Sequence, residues 1–165
     1  MAGPETGYIR APLTPDPHPA SPMPAPDPLR FTNAAATVQP DPEGFALMRW
    51  QPGPHTLADY QEAMNALLRI IRALGTGKAL VDNRWVDSIT VEEQQWVMTH
   101  WLPRAVVQGN YRYAALLSRP ELLAWLGSVD QQLLGWPQAP TYVAFDEEAA
   151  ARRWLRQQVV VGSHI

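Results

Sequence analysis

From about Leu29 onward, short apolar runs alternate with longer segments of helical period, and this alternation constrains the fold more than any other feature of the sequence. Apolar residues at three- and four-residue steps lie on one face of a helix, whereas short apolar runs between turn residues are typical of strands. The elements follow in the order β-β-α-β-α-β-α-β-α. Strands separated by helices pair in parallel through right-handed crossovers. The chain is therefore predicted to be an α/β protein with a five-stranded mixed sheet covered by about four helices.

Five segments carry the strand pattern. A weak strand around 30–38 and a clearer one at 45–51 flank turn residues at 40–44, which predicts a hairpin. Three later strands are expected at 78–84, 111–117 and 141–145. In the first of these, Leu80 and Val81 belong to an unbroken apolar run between a helix and a polar segment. Such a run predicts a central strand that is covered by helices on both faces.

Local capping signals place the ends of the first two helices. Thr56 is suited to cap the first helix, and Gly75 is suited to end it in a left-handed conformation. Thr90 and Glu93 form a capping-box pair at the start of the second helix. That helix continues past Pro103, where the missing backbone donor predicts a bend. A further capping pair, Ser118 with Glu121, predicts a third helix, and Asp146 is expected to cap the last one.

The N-terminal part of the chain has a different composition. Nine of the 17 prolines lie between Pro4 and Pro28, in a stretch with few large apolar residues. Such a stretch buries too little surface to offset its ordering entropy. We therefore predict a flexible Pro-rich tail at 1–28, a single domain at 29–158 and a C-terminal tail at 159–165. Matches to the PxxP recognition pattern occur in the tail, as its composition alone would produce.

Charge and cysteine content exclude several classes of protein. The formal net charge is −3 and the pI is about 5.8, so there is no strong basic field for nucleic acid or for an anionic membrane surface. Without cysteine the chain has neither disulfides nor thiolate metal sites. No apolar run approaches the ~18 residues of a membrane span, so stable membrane insertion is not expected. We predict a cytoplasmic protein.

The sequence offers no pattern typical of catalysis, of a metal site or of a cofactor site. The segment 75–78 ends in Gly-Lys like a phosphate-binding loop, but Arg72 stands where the first glycine is required and Ala79 where Ser or Thr is required. The histidines have no partner at metal-ligand spacing, and there is no GxSxG elbow. We therefore predict no catalytic residues, no metal, no cofactor and no enzymatic activity.

Several local phrases, within about 29–157, resemble one bacterial family. They are Trp50 with Gly53 and Thr56 before a helix carrying Tyr60, Leu80-Val81-Asp82-Asn83-Arg84, Glu93-Gln94-Gln95-Trp96, Trp101-Leu102-Pro103-Arg104-Ala105, and 150–155. With the element order, these phrases resemble the SpoIIAA-like family, the STAS or STAS/SEC14-type domains related to anti-sigma-factor antagonists. The resemblance implies a five-stranded mixed sheet with helices packed on it, and a domain that acts by binding.

The same resemblance draws attention to Ser88. Anti-sigma-factor antagonists carry a regulatory serine in an Asp-Ser-Ser/Thr-Gly type of sequence, and Asp87-Ser88-Ile89-Thr90 lies at about that place. Ile89 replaces the second small residue, and no glycine follows Thr90. Ser88 is therefore either a phosphorylation site or an ordinary loop residue that supports the start of the helix.

Polar residues follow the predicted parallel strands, at the edge where open α/β sheets bind ligands. The expected ligand-binding residues are Asp82, Asn83, Arg84, Trp85, Ser118 and Arg119. The two arginines lie beside helix N-termini, so a small anionic ligand is expected there. Alternatively, Arg84 pairs with Asp82 or Asp87.

Two functions are consistent with these observations. The first is a non-enzymatic STAS-like binding and regulatory module that acts through a protein partner or as a homo-oligomer. The alternative is a small-molecule or lipid-binding domain, with an anion site at the carboxyl edge of the sheet.

Overall fold

The computed structural model describes residues 28–120, 133 and 135–159. Within them the chain forms a six-stranded sheet whose strands lie side by side in sequence order. The strands are β1 (Phe31–Thr32), β2 (Ala36–Pro40), β3 (Ala46–Trp50), β4 (Lys78–Asp82), β5 (Tyr113–Leu117) and β6 (Thr141–Phe145). The first three strands pair antiparallel, and β3 to β6 pair in parallel. The predicted α/β class and the parallel pairing of the last three strands are confirmed.

Three helical stretches are seen in the described residues. They are α1 (Leu57–Leu74), the continuous stretch α2 (Val91–Trp96), π-helix (Val97–Trp101) and α3 (Leu102–Gly109), and α4 (Glu148–Gln157). The helix predicted after Ser118 falls largely on 121–132 and 134, outside the described residues. The predicted tails at 1–28 and 159–165 also lie almost entirely outside them. No helix of the described part is both long enough and apolar enough to cross a membrane.

The prediction of five strands was wrong by one strand. The region 30–38, expected as one strand, contains β1 and β2, which pair antiparallel so that Phe31 lies opposite Val38. Asn33 closes the turn between them, because its Oδ1 accepts hydrogen bonds from the backbone N–H groups of Ala35 and Ala36, at 2.8 and 3.1 Å. Such an Asx turn is local, but apolar periodicity does not reveal it.

The hairpin between β2 and β3 is confirmed. Asp41 N–H donates to Phe45 O, and Gly44 N–H donates to Asp41 O, both at 2.9 Å. Gly44 has a φ of 92°, a left-handed conformation that glycine adopts without a steric penalty. The turn returns the chain beside β2, so that β3 becomes the first of the four parallel strands.

The predicted caps of the first two helices are also confirmed. The Thr56 hydroxyl accepts from the Asp59 N–H, and the Asp59 carboxylate accepts from the Thr56 N–H. Gly75 ends α1 with a φ of 72° and donates to Ile71 O. Thr90 and Glu93 form the expected reciprocal box at the start of α2. These interactions span no more than four residues, so the sequence reveals them directly.

The cap predicted for the last helix was wrong. Glu147, not Asp146, occupies the N-cap position of α4, and no side-chain hydrogen bond caps that helix. Glu148 in the first turn instead accepts hydrogen bonds from Arg49 of β3 and from Arg152 one turn later. Tertiary ion pairs therefore hold the start of this helix against the sheet.

Pro103 affects the helix one turn before its own position. Because proline has no N–H to donate and its ring crowds the preceding turn, regular α-helical bonding cannot pass through it. The residues before it form a π-helical segment, in which Leu102 N–H donates to Val97 O. The irregularity expected at Pro103 is thus a widened turn at Val97–Trp101, a feature that is frequent at functional sites.

The sheet separates two apolar clusters. The larger lies between the sheet and the α1 and α2–α3 helices, and it includes Val81. The smaller lies between the other face and α4, and it includes Leu80. Leu80 is 0% exposed and Val81 is 8% exposed, and β4 pairs with β3 on one side and β5 on the other. The prediction of a central strand covered on both faces is confirmed.

Candidate functional site

An apolar cavity of about 90 Å3 lies between the sheet, α1 and the α2–π segment. Its sheet side comes from β3, β4, β5 and β6, and its rim comes from the segments that follow β3 and β4. Apolar and aromatic side chains form most of the wall. They are Met48, Trp50, Tyr60, Met64, Leu67, Val81, Val86, Ile89, Val97, Met98, Trp101, Leu102, Tyr111, Leu116 and Tyr142. The polar members of the lining are His55, Asn83, Ser88, Glu93 and Gln94.

The π-helical segment supplies one wall of this cavity. Val97, Met98 and Trp101 all belong to it, and all three line the cavity. Trp101 is 1% exposed, and its indole N–H donates to the backbone oxygen of Met64 at 2.6 Å. This hydrogen bond ties the π-helical segment to α1 across the cavity wall. The widened turn before Pro103 therefore shapes the space between the two helices.

Aromatic rings are stacked at the rim. The rings of Trp50 and Tyr60 are 4.9 Å apart at an interplanar angle of 13°. The His55 ring lies 6.1 Å from each of them, and Trp96 packs edge-on against Tyr60 at 6.3 Å. Offset and edge-on aromatic packing is favourable beyond the area it buries. The rim is therefore a rigid apolar surface with one imidazole in it.

His55 is held in place by a buried carboxylate. Its Nε2 lies 2.8 Å from Glu93 Oε2, and the Glu93 side chain is 7% exposed. An ionised carboxylate only accepts hydrogen bonds, so His55 Nε2 is the donor whenever Glu93 is ionised. The other oxygen, Oε1, accepts the Thr90 N–H at 3.1 Å. Glu93 thus links the start of α2 to the loop before α1.

Two cavity tyrosines are kept neutral by their surroundings. Burial raises the pKa of Tyr60 well above its ordinary value, and the negative charge of Glu93 raises it further. Burial, together with Tyr142, likewise raises the pKa of Tyr111. Both hydroxyls therefore remain protonated throughout the neutral and mildly alkaline range. Tyr60 and Tyr111 therefore contribute uncharged phenols to the cavity wall.

The two arginines that were predicted to bind an anion lie in different surroundings, Arg84 beside Asp82 and Arg119 beside Asp87. Asp82, 2% exposed, accepts hydrogen bonds from Arg84 at 3.0 and 2.8 Å and from Arg49 at 3.0 Å. Burial opposes its ionisation, but the bonds from Arg84 and Arg49 outweigh that cost and hold the pKa of Asp82 below its ordinary value. Of the two alternatives for Arg84, the structure shows the ion pair with Asp82.

Arg119 lies near the loop that follows Arg84. Its guanidinium donates to Val86 O at 2.6 Å and lies 3.5 Å from the exposed Asp87 carboxylate. An anion at this edge would therefore compete with Asp82 for Arg84 and with Asp87 for Arg119. An anion site over these two arginines stays a prediction.

The other predicted site residues lie at the same edge in different environments. Asn83 lines the cavity, and its backbone N–H donates to Leu117 O at 2.7 Å. Ser118 is buried, and its Oγ has no hydrogen-bond partner among the described residues. Trp85 is 64% exposed and points away from the core. Ser88 is exposed at the cavity rim, and its phosphorylation stays a prediction.

The sequence did not indicate His55 as a site residue, and it indicated Glu93 only as a cap. The two residues are 38 positions apart, on elements separated by a strand and a helix. One local signal pointed to the cavity wall formed by the π-helical segment: Pro103 in a helix with an apolar turn before it. That signal predicted an irregular helix but not what faces it.

Among the described residues, no group of three or more His, Cys, Asp or Glu side chains is arranged to hold a metal ion. Comparison of the chain with family models, with curated proteins and with solved structures finds no match.

Proposed function

We propose that this chain is a non-enzymatic STAS-like binding module, and that it binds a small, largely apolar molecule in the cavity between α1 and the π-helical segment. The cavity is the observation that carries the proposal: it is an apolar space bounded by aromatic rings and a few polar groups, the usual composition of a ligand site. The described residues form a mixed sheet with helices packed on it, and this general α/β class accords with the STAS-like interpretation.

The cavity volume defines the size of the ligand. One water-sized sphere needs about 10 to 15 Å3, so about 90 Å3 holds roughly six to nine non-hydrogen atoms. This is smaller than the roughly 300 Å3 or more of a pocket for a drug-sized ligand. A single aromatic ring with one polar substituent, or a short aliphatic alcohol, has the required size. The polar substituent would lie toward His55 and Asn83.

The state of the polar groups supports binding without chemistry. Both carboxylate oxygens of Glu93 already have partners, the Thr90 N–H and His55 Nε2. Tyr60 is buried in its neutral form. A cavity whose acid and imidazole are bonded to each other, and whose buried phenol stays neutral, is suited to hold a ligand rather than to transfer protons to it.

A probe panel tests the proposal. Phenol, benzyl alcohol, toluene and hexanol, each at a matched concentration, are titrated while unfolding is followed by tryptophan fluorescence. A ligand at about 100 times its dissociation constant adds about 2.7 kcal/mol to the free energy of unfolding, so saturable binding is readily measured. Native mass spectrometry of protein from its own host then identifies any ligand that copurifies.

A matched pair of variants assigns the binding to the cavity. Val97→Phe fills the cavity from the π-helical segment, whereas Val107→Phe makes the same change where the side chain is 83% exposed. We expect Val97→Phe to lose the probe-dependent stabilisation and Val107→Phe to retain it. Equal responses from the two variants, or no saturable response from the native chain, would contradict the proposal.

A second candidate function is recognition of a protein partner or of a second copy of the chain. One observation favours it: Trp85, in the segment that joins β4 to α2, is 64% exposed, and Val91, the first residue of α2, is 68% exposed. Exposed tryptophan is enriched at interface hot spots. In native mass spectrometry, Trp85→Ala should shift an oligomer of the native chain toward monomer. An unchanged oligomer, or a native chain that is monomeric at all concentrations, would contradict self-association through Trp85.

A further inference from the structure

A second concavity, independent of the apolar cavity and of the function proposed for it, lies on the outer side of the helical layer. It has a volume of about 480 Å3 and lies between α1 and α3. The lining residues are Asn65, Leu68, Arg69, Arg72 and Ala73 of α1, with Arg104 and Gln108 of α3. On each helix they are spaced by steps of one, three or four residues, so they share one face. We call this concavity the arginine groove.

The charge of the groove differs from that of the whole chain. The chain has a net charge of −3, yet three arginines line the groove and none of its described lining residues is acidic. Within the described part of the chain, neither Arg69 nor Arg72 forms an ion pair. Outside the groove, carboxylate partners are found for Arg49, Arg84, Arg119, Arg152 and Arg156. Among the described residues Arg30, Arg112 and Arg153 also form no ion pair, but none of these three lines the groove. The groove therefore concentrates positive charge that no neighbouring carboxylate compensates.

One of the three guanidinium groups is already oriented by neutral partners. Arg104 Nε donates to the backbone oxygen of His100 at 3.0 Å, and one of its terminal nitrogens donates to Asn65 Oδ1 at 2.8 Å. These bonds fix Arg104 across the two helices without neutralising its charge. Pre-organisation of this kind lowers the entropy that an incoming anion must overcome.

The donors fit one class of ligand. Guanidinium groups bind phosphate through paired N–H donors, and phosphate presents three acceptor oxygens and nearly two negative charges at neutral pH. Three guanidinium groups and two side-chain amides offer more donors than one carboxylate can accept. The groove is also larger than a phosphate alone, and the exposed Ala73 provides apolar surface for an organic part, whereas Leu68 is only 4% exposed.

We propose that the arginine groove binds a phosphate monoester attached to an apolar or sugar-sized group. A soluble metabolite and a lipid headgroup share this chemistry. Phenyl phosphate and glycerol 3-phosphate represent the soluble source, and phosphatidylcholine vesicles with and without phosphatidic acid represent the lipid source. Benzoate and sulfate at equal ionic strength serve as the carboxylate and simple-anion probes.

The test uses the full chain and variants of equal charge. Arg69→Gln with Arg72→Gln removes two positive charges from the groove and keeps residues that favour helix. The control, Arg30→Gln with Arg153→Gln, removes two charges at exposed positions outside the groove. Binding of phenyl phosphate is measured by calorimetry, and binding to vesicles by cosedimentation.

We expect the groove variant to bind phenyl phosphate, or vesicles containing phosphatidic acid, at least about tenfold more weakly than the native chain, because hydrogen bonds to charged groups are lost. The control should bind as the native chain does. Arg104→Gln, which leaves both arginines of α1 in place, should also weaken binding. Equal losses in groove and control variants, equal affinity for benzoate, or no saturable binding to any phosphate probe would overturn the proposal.

Discussion

Leu80→Ala is the most direct test of the architecture, because Leu80 packs where the sheet meets α4. Its side chain is 0% exposed, and the cluster around it includes the small residues Ala115 and Ala151. Removing about three CH2 equivalents at about 0.8 kcal/mol each costs about 2.4 kcal/mol of transfer free energy. The two alanines cannot extend into the space, and β4 is held by strands on both sides, so a residual cavity remains. The total loss should therefore reach about 3 to 5 kcal/mol.

Urea unfolding monitored by tryptophan fluorescence measures this loss as a shift of the midpoint at constant m value. For a domain of this size, each kcal/mol corresponds to about 3 to 5 °C in Tm, so the thermal midpoint should fall by about 10 to 20 °C. Val107→Ala is the matched control. It shortens an apolar side chain that is 83% exposed, and it should change the unfolding free energy by less than about 0.5 kcal/mol.

A loss below about 1 kcal/mol for Leu80→Ala would refute the reasoning, because it would mean that the space below α4 collapses or that β4 is not enclosed there. A changed m value would instead show that the variant alters the compactness of one of the two states. In that case the same comparison is made with Leu155→Ala, from the α4 side of the same cluster.

Three further predictions concern pH, backbone geometry and the N-terminal segment. Because the pKa of Asp82 is lower in the folded than in the unfolded state, its charge adds stability above an unfolded pKa of about 3.9, and this stability is lost as the pH falls through the folded value. Asp82→Asn should therefore be less stable at neutral pH, but should lose less stability than the native chain between pH 5 and pH 2, as measured by urea midpoints. Gly77→Ala should cost more than about 1 kcal/mol by the same assay, since φ is +70° and the new Cβ would overlap the Asn110 backbone oxygen; Gly53→Ala, with φ +99° and no atom within 4 Å, should cost less. A chain that begins at Pro28 should melt within error of the full chain, whereas a loss above about 1 kcal/mol would mean that the N-terminal segment packs on the domain.

Much of the fold could be predicted from the sequence because its signals are local. The caps at Thr56 and Thr90 depend on atoms within four residues. The buried run at Leu80 and the helices between the strands indicate parallel pairing through steric rules that apply to all L-amino-acid chains. Even the error in strand number arises from a local cause, the Asx turn at Asn33, which is encoded by a hydrogen bond and not by an apolar pattern.

Only the tertiary structure decided which side chains meet. His55 and Glu93 are 38 positions apart, and Arg49 and Glu148 are 99 positions apart. Periodicity indicates which face of a helix is apolar, but the residue opposite that face depends on how each crossover is placed and which rotamers fit. Arg84 shows the consequence: the sequence left open a ligand site or a pair with Asp82 or Asp87, and the fold decides for Asp82, which lies 2.8 Å away. The cavity and the arginine groove each lie between elements that are distant in the sequence. Local patterns predict the single elements but not how they pack together, so neither feature could be predicted from the sequence.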